Sequence, residues 1–259
     1  MNPGCFCYLV NHSGSNSVDT CVHSLILLNK NYLSRFPTPI IMFHEDGLTD
    51  KMKSNLSQVC KIPPIFVRIE FKVPCYVKEI NKNVRLGYMH MCKFFANDIF
   101  HQDILNDFKY YCRLDTDSFI LSPVTINIFE EAKQNEIYYG FINDSITDTP
   151  CFIQNLWNES QIFINNHKNF PVFSKLYTEI EEGRLYYTNF ELCYIHWFKN
   201  DPWKSYFEAI NNYGGIYKYR WGDHVIRYIG VRSFLSPIHI RKITNIHYAH
   251  QGYEDNKPK

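Results

Sequence analysis

Along the first half of the chain, short apolar runs alternate with stretches whose apolar residues recur at helical spacing. Residues 5–10, "CFCYLV", read as a buried strand. Val18, Val22, Leu25 and Ile26 then fall at i, i+4, i+7 and i+8, the stripe of an amphipathic helix. Residues 39–45, "PIIMFHE", and 65–71, "IFVRIEF", supply a second and a third strand. Tyr88, Met91, Cys92, Phe95 and Ile99 mark another helix face, and "YYCRL" at 110–114 is a fourth strand. Ser122 before Pro123 reads as an N-cap followed by proline at the first helical position. The helix it opens runs through Ile126 and Phe129 to about Gln134, and residues 137–142 form a fifth strand. Alternation of this kind predicts an α/β sandwich built on a Rossmann-like, mainly parallel sheet flanked by helices.

The second half reads as more helical. Apolar residues over 173–180 keep helical spacing. Asp201-Pro202 is a second cap-plus-proline start, with Trp203, Tyr206, Phe207 and Ile210 on one face. Gly214-Gly215 is a turn, and "WGDHVIRYIGVRSFL" is a helix capped near Asp223. The tail "NIHYAHQGY" is polar and aromatic without a clear period.

Composition narrows the picture. The chain has 259 residues, 45% hydrophobic and 17% aromatic, enough for one sizeable core. A formal net charge of +1 gives no electrostatic case for nucleic acid as the main partner. No apolar run reaches the ~20 residues of a membrane span, and the N-terminus lacks the basic n-region of a signal peptide. As written, the chain is expected to be soluble and cytosolic, unless an anchor is missing. Nine scattered cysteines with no CxxC pair argue against a zinc ribbon and for buried thiols, with at most one disulfide under oxidising conditions. Asn-x-Ser sequons at Asn11, Asn55, Asn143 and Asn158 matter only in the secretory pathway.

Four stretches could carry chemistry. Asp115 and Asp117 follow the fourth strand, and ligands of open α/β sheets sit beyond the carboxyl ends of strands. Carboxylates there can hold a divalent cation that bridges a nucleotide diphosphate; the competing reading is a strand-ending Asp turn. Glu191, among Phe190, Leu192 and Cys193, lies either on the solvent side of a strand or in a lined cleft, and by spacing alone the solvent side is favoured. His247 and His250 offer imidazoles that suit Mn²⁺, Fe²⁺ or Zn²⁺, or are ordinary loop residues. "RWGD" at 220–223 is a helix start, with Trp221 as core or as a stacking platform.

Taken in order, five blocks resemble the fungal α-1,2-mannosyltransferases of glycosyltransferase family 15. "YMHMCKF" at 88–94 matches the family's Tyr-Arg-His-Met-Cys-Arg-Phe-like helix. "YYCRLDTD" at 110–117 matches its tryptophan- and tyrosine-rich strand running into Arg-Val-Glu-Pro-Asp. "TNFEL" at 188–192 matches Ser-Asn-Phe-Glu-Ile, and "GGIYKYRWGD" at 214–223 matches Gly-Gly-Phe-Phe-Tyr-Glu-Arg-Trp-Gly-Asp. "IHYAH" at 246–250 matches Ile-Gly-Tyr-His-His. The match covers about residues 5–253.

The resemblance implies a GT-A-like fold over 1–259 as a single catalytic domain. Its nucleotide-sugar half would be about 1–145 and its acceptor and catalytic half about 146–259. It implies a retaining transferase with GDP-mannose as donor, Mn²⁺ as cofactor and a glycan hydroxyl as acceptor. Asp115 takes the place of the metal-binding glutamate, Asp117 the second acid, and His250 the other metal ligand, with Ala249 where a first histidine would stand. Glu191 matches the glutamate proposed as nucleophile, Tyr88 a tyrosine lining the reaction centre, and Asp223 the acid after Trp-Gly, all three taken as catalytic. Arg113 and Trp221, within the matching blocks, are expected against the donor. Three features depart from the family pattern. Asp115 is a methylene shorter than glutamate, Thr116 replaces proline, and Asn11-His12 stands where family members tend to have an arginine. The alternatives are another donor, such as a UDP-hexose, or a degenerate protein that binds glycan or nucleotide without turnover.

Overall fold

The computed structural model describes residues 2–11, 17–251, 253–254 and 257–258. His12 of the Asn11-His12 pair lies outside them. The chain runs β1 (Asn2–Val10), α1 (Ser17–Leu28), β2 (Ile40–His44), α2 (Asp50–Gln58), β3 (Ile65–Arg68), α3 (Leu86–Ala96) and β4 (Phe108–Leu114). It continues through β5 (Ser118–Ile120), α4 (Ile128–Gln134), β6 (Tyr139–Phe141), β7 (Ile146–Thr147), α5 (Leu156–Asn166), β8 (Arg184–Leu185) and β9 (Phe190–Tyr194). Then come α6 (Asp201–Tyr213), α7 (Gly215–Lys218), α8 (Asp223–Phe234), β10 (Ile240–Lys242) and β11 (Tyr248–His250).

Seven strands form one sheet in the order β10-β6-β9-β4-β1-β2-β3. Every pairing in it is parallel except the two made by β9, so the sheet is mixed and mainly parallel, as the alternation predicts. The pleat splits β1 between two cores. Cys5 and Cys7 point into the layer of α3, α5, α6 and α8, while Phe6, Tyr8 and Val10 point into the layer of α1 and α4. Buried on both faces, the central strands have to read as continuous apolar runs. β3 is the edge, only partly covered, and it ends at Arg68 rather than continuing to residue 71.

Several boundaries move for local reasons. The helix expected from Ser122-Pro123 begins only at Ile128. The Val124 N–H is spent on the Asn31 carbonyl, and Asn127 caps the helix by accepting from the N–H groups of Phe129 and Glu130. Residues 173–180 form no helix. The Phe173 N–H bonds Ser233, Leu176 bridges Ile180, and Tyr177 sits at φ 64°, which closes a tight loop. α6 is capped by Asn200 rather than Asp201; Asn200 accepts from the Trp203 N–H, and Pro202 lies in the first turn. Its Trp203, Tyr206, Phe207 and Ile210 are buried, each contributing ~1.5–3 kcal/mol relative to exposure. Gly214 at φ 81° ends it, a left-handed position that glycine fills without penalty. The N-cap of α8 is Gly222, which leaves the Asp223 carboxylate free for tertiary partners. All nine cysteines are free thiols, six of them buried. Among the described residues no helix is long and apolar enough to cross a membrane.

Candidate active site

β4 delivers its carboxyl end to a tight turn. The Ser118 N–H bonds the Asp115 carbonyl, and the Asp115 N–H is shared by the Ser118 hydroxyl and the Asn189 carbonyl. Asp115-Thr116-Asp117 is therefore a strand-ending turn, and the turn also assembles a cluster. β5 leaves it and pairs antiparallel with β11, so that Ser118 faces His250. This register brings His250 Nε2 to 3.1 Å from Asp117 Oδ1 and 3.9 Å from Asp115 Oδ2. One ligand atom from each of the three residues falls within 4.8 Å of the other two. Two carboxylate oxygens and one imidazole nitrogen suit Mn²⁺. The Tyr187 hydroxyl meets His250 Nδ1 at 2.9 Å, which turns Nε2 toward the carboxylates. Burial alone raises the Asp117 carboxyl, but the hydrogen bond and charge of His250 outweigh it and hold it below its ordinary value.

Arg113 lies under this cluster, 2% exposed. Its Nε donates to Asp115 Oδ1 at 2.8 Å and its Nη1 to Asp223 Oδ2 at 2.7 Å, and its guanidinium stacks on Phe95 at 3.6 Å. Asp223, also buried, accepts a second bond from the Thr188 hydroxyl at 2.7 Å. The Tyr248 hydroxyl joins Ser118 at 2.7 Å and donates to Asn189 at 2.9 Å, tying β11 to the turn. Arg113 and Asp223 thus touch the site as its floor.

The cluster opens into a cleft of about 470 Å³ whose lining includes Tyr88, Asp148, Tyr187, Thr188, Arg220 and His224. Away from the acidic cluster, Asp148 accepts from Arg220 Nη1 at 3.3 Å and meets His224 Nε2 at 2.9 Å. Arg220 Nη2 donates to the Tyr88 hydroxyl at 2.9 Å. Sequence reasoning missed Asp148, Tyr187 and His224 as site residues and saw Arg220 only as part of a helix start. For Arg220 and His224 a signal existed, since they flank the Trp-Gly-Asp stretch. For Asp148 and Tyr187 there was none. They sit at the ends of β7 and β8, two-residue strands that pair with each other apart from the main sheet.

Three expected residues lie elsewhere. Glu191 is fully buried and is not among the cleft residues. Its carboxylate accepts from Tyr111 at 2.8 Å, Tyr139 at 3.2 Å and Arg227 at 3.1 Å. The solvent-side and cleft alternatives are both replaced by a third, a polar knot inside the core. Trp221 is buried rather than a stacking platform in the cleft: it stacks on Tyr213, and its Nε1–H donates to the Gln154 carbonyl at 2.9 Å. His247 is exposed, and its backbone carbonyl accepts from the Leu121 N–H.

A family model described as glycolipid 2-alpha-mannosyltransferase matches residues 2–258. The "Probable mannosyltransferase KTR4" of Saccharomyces cerevisiae is 23% identical over 276 residues, covering 92% of this chain and 59% of that protein. The crystal structure of core-mannan synthase A from Aspergillus fumigatus in its Mn/GDP form superposes with a TM-score of 0.87 at 19% identity, over 100% of this chain and 79% of that one. That of the mannosyltransferase Ktr4p from S. cerevisiae in complex with GDP gives 0.86 at 21%, over 97% and 72%. The chain spans 43% to 59% of the length of the first curated relatives it matches.

Proposed function

The chain belongs to the glycolipid 2-alpha-mannosyltransferase family, and from that premise we propose that it transfers mannose from GDP-mannose to a sugar hydroxyl with retention of configuration. The observation that carries this reading is the convergence of Asp115, Asp117 and His250 at the carboxyl end of β4, on the rim of a cleft. These three residues would hold Mn²⁺. When bound, the cation supplies charge neutralisation for the diphosphate as it departs.

The chain's own groups set the conditions for that step. Tyr187 fixes the imidazole of His250. Arg113 holds the Asp115 carboxylate from below, and its charge is already matched by Asp115 and Asp223. A guanidinium so compensated steadies the acidic cluster rather than gripping phosphate itself. Glu191 is sealed away with Arg227, so no step is assigned to it. The arrangement suits the route in which the acceptor enters on the face the diphosphate leaves. On this reading the donor contacts come from the first half together with His250 of the second, and the acceptor contacts from the rest of the second half.

The test is thermal stabilisation with GDP- and UDP-sugars, each with and without Mn²⁺. A shift with GDP species plus Mn²⁺ only, lost in Asp117→Ala, is expected. A shift with UDP species instead would overturn the donor. No shift with any of them would favour a degenerate protein without turnover.

A further inference from the structure

The three candidate cation ligands come from two segments of the chain. Asp115 and Asp117 sit in the turn after β4, and His250 ends β11. β11 pairs with β5 in a two-stranded ladder of three residues each, outside the seven-stranded sheet. A ladder that short is marginal by itself, whereas a cation site demands ligand placement to within about 0.5 Å. We infer that Tyr248 is a positioning residue for the cation: its hydroxyl locks β11 against the acidic turn and so sets where His250 stands relative to Asp115 and Asp117. This rests on the reading of those three residues as the cation site.

One chain of hydrogen bonds joins the two segments. The Asp115 N–H donates to the Ser118 hydroxyl at 3.1 Å. The Ser118 hydroxyl meets the Tyr248 hydroxyl at 2.7 Å, and Tyr248 donates to Asn189 Oδ1 at 2.9 Å. With the phenol proton on Asn189, the serine proton fills the 2.7 Å contact; the Asn189 carbonyl, at 3.1 Å, is its more distant alternative. Donation therefore runs one way, from Asp115 to Ser118 to Tyr248 to Asn189, and bonds aligned head to tail strengthen one another. Asn189 closes the circuit, because its carbonyl accepts from the same Asp115 N–H.

Strand geometry passes this lock on to the imidazole. Tyr248 and His250 are two residues apart on β11, so their side chains leave the same face. A T-shaped contact with the buried Phe190 ring, 5.4 Å between centroids, keeps the phenol from swinging away. His250 Nε2 then comes to 3.1 Å from Asp117 and 3.9 Å from Asp115. Tyr187 does a different job. It bonds the imidazole itself at Nδ1 and sets the rotation of the ring. The Tyr248 hydroxyl bonds Ser118 and Asn189 and sets the position of the strand that carries the ring.

The test titrates Mn²⁺ alone, without nucleotide or turnover. Electron paramagnetic resonance follows the free ion, and electron spin-echo envelope modulation of the bound ion reads its imidazole nitrogen. Wild type is compared with Tyr248→Phe, Ser118→Ala, His250→Ala and the double variant Tyr248→Phe/His250→Ala. Tyr248→Phe keeps the ring and the ladder; it is expected to weaken Mn²⁺ about tenfold or more, the usual effect of losing an orienting partner, and to diminish the nitrogen modulation. Ser118→Ala removes the same bond from the other side, should do the same, and carries the test if Tyr248→Phe fails to fold. The double variant should bind no more weakly than His250→Ala, because Tyr248 acts through that ligand. Additive losses in the double variant would overturn the inference. So would a Tyr248→Phe protein less stable in urea but with wild-type affinity and nitrogen modulation, the signature of a purely structural tyrosine. A wild type that binds no Mn²⁺ would overturn the cation site itself and this inference with it.

Discussion

Glu191 and Arg227 form an ion pair with no exposed surface on either side chain, Nε to Oε2 at 3.1 Å. The guanidinium is boxed by the rings of Phe100, Phe198 and Trp203, donates through Nη2 to the Phe95 carbonyl, and leaves Nη1 without a hydrogen-bond partner among the described residues. The pair ties β9 to α8 across the core, and removing one member would strand the other charge among aromatic rings.

Glu191→Gln is therefore expected to lower the free energy of unfolding by ~3–5 kcal/mol, the usual cost of breaking a buried pair. Urea denaturation followed by circular dichroism reads it. The folded fraction should keep its affinity for GDP with Mn²⁺. A variant of wild-type stability that had lost turnover would return Glu191 to the chemistry.

Tyr187 touches His250 and no other candidate ligand in the hydrogen-bond pattern. Tyr187→Phe should weaken Mn²⁺ binding by about 10- to 100-fold, because the imidazole loses the bond that orients it. Electron paramagnetic resonance of free Mn²⁺ during a titration measures this without any turnover. Unchanged affinity would mean that the β5–β11 pairing alone fixes the ring.

Arg113→Lys should be costly although it keeps the charge. The guanidinium serves Asp115 and Asp223 through separate nitrogens while lying flat on Phe95, which an ammonium cannot do. A loss of ~2–5 kcal/mol in chemical denaturation is expected, with weaker Mn²⁺ binding as Asp115 relaxes. A lysine variant equal to wild type in both measurements would show that the floor is not rigid.

Acid should unfold the protein partly through Asp148 and Asp223. Burial raises both carboxyls. For Asp148 the hydrogen bond and charge of His224, with help from the Thr149 N–H and Arg220, outweigh it. For Asp223 the charges of Arg113 and His224 and the Thr188 hydroxyl do so. Both end below their ordinary value of 3.8. As pH falls, the unfolded chain then takes up protons before the folded one. Their contribution is complete above the ordinary carboxylate range and is lost as pH drops through the lower folded values. Urea midpoints from about pH 7 to about pH 3 should hold level and then fall, less steeply in Asp148→Asn. A level profile over the whole range would count against these pairings.

Much of the fold was legible because burial writes itself into spacing. β1, β2 and β4 are covered on both faces, so they read as mainly apolar runs broken by few polar residues such as Arg113, and α6 carries a stripe that matches the layer it covers. Where a backbone bond to a distant residue decides the conformation, spacing misleads. Val124 on Asn31 delays α4, and Phe173 on Ser233 keeps 173–180 from coiling. Both partners are remote in sequence, so no local pattern announces them.

The same division runs through the site. The sequence alone placed Asp115 and Asp117 at the end of a buried strand and marked His250 as a candidate ligand. Only the tertiary structure decided that β11 returns beside β5, because strand pairing is chosen by register between segments 130 residues apart, Ser118 and Tyr248 among them. It also decided the fate of the two most suggestive isolated residues. Glu191 and Trp221 sit beside apolar neighbours in sequence, a pattern shared by a cleft wall and a core. Which of the two they join depends on the opposite face of the sheet and on α8, where Arg227 supplies the one counter-charge that lets a carboxylate stay inside.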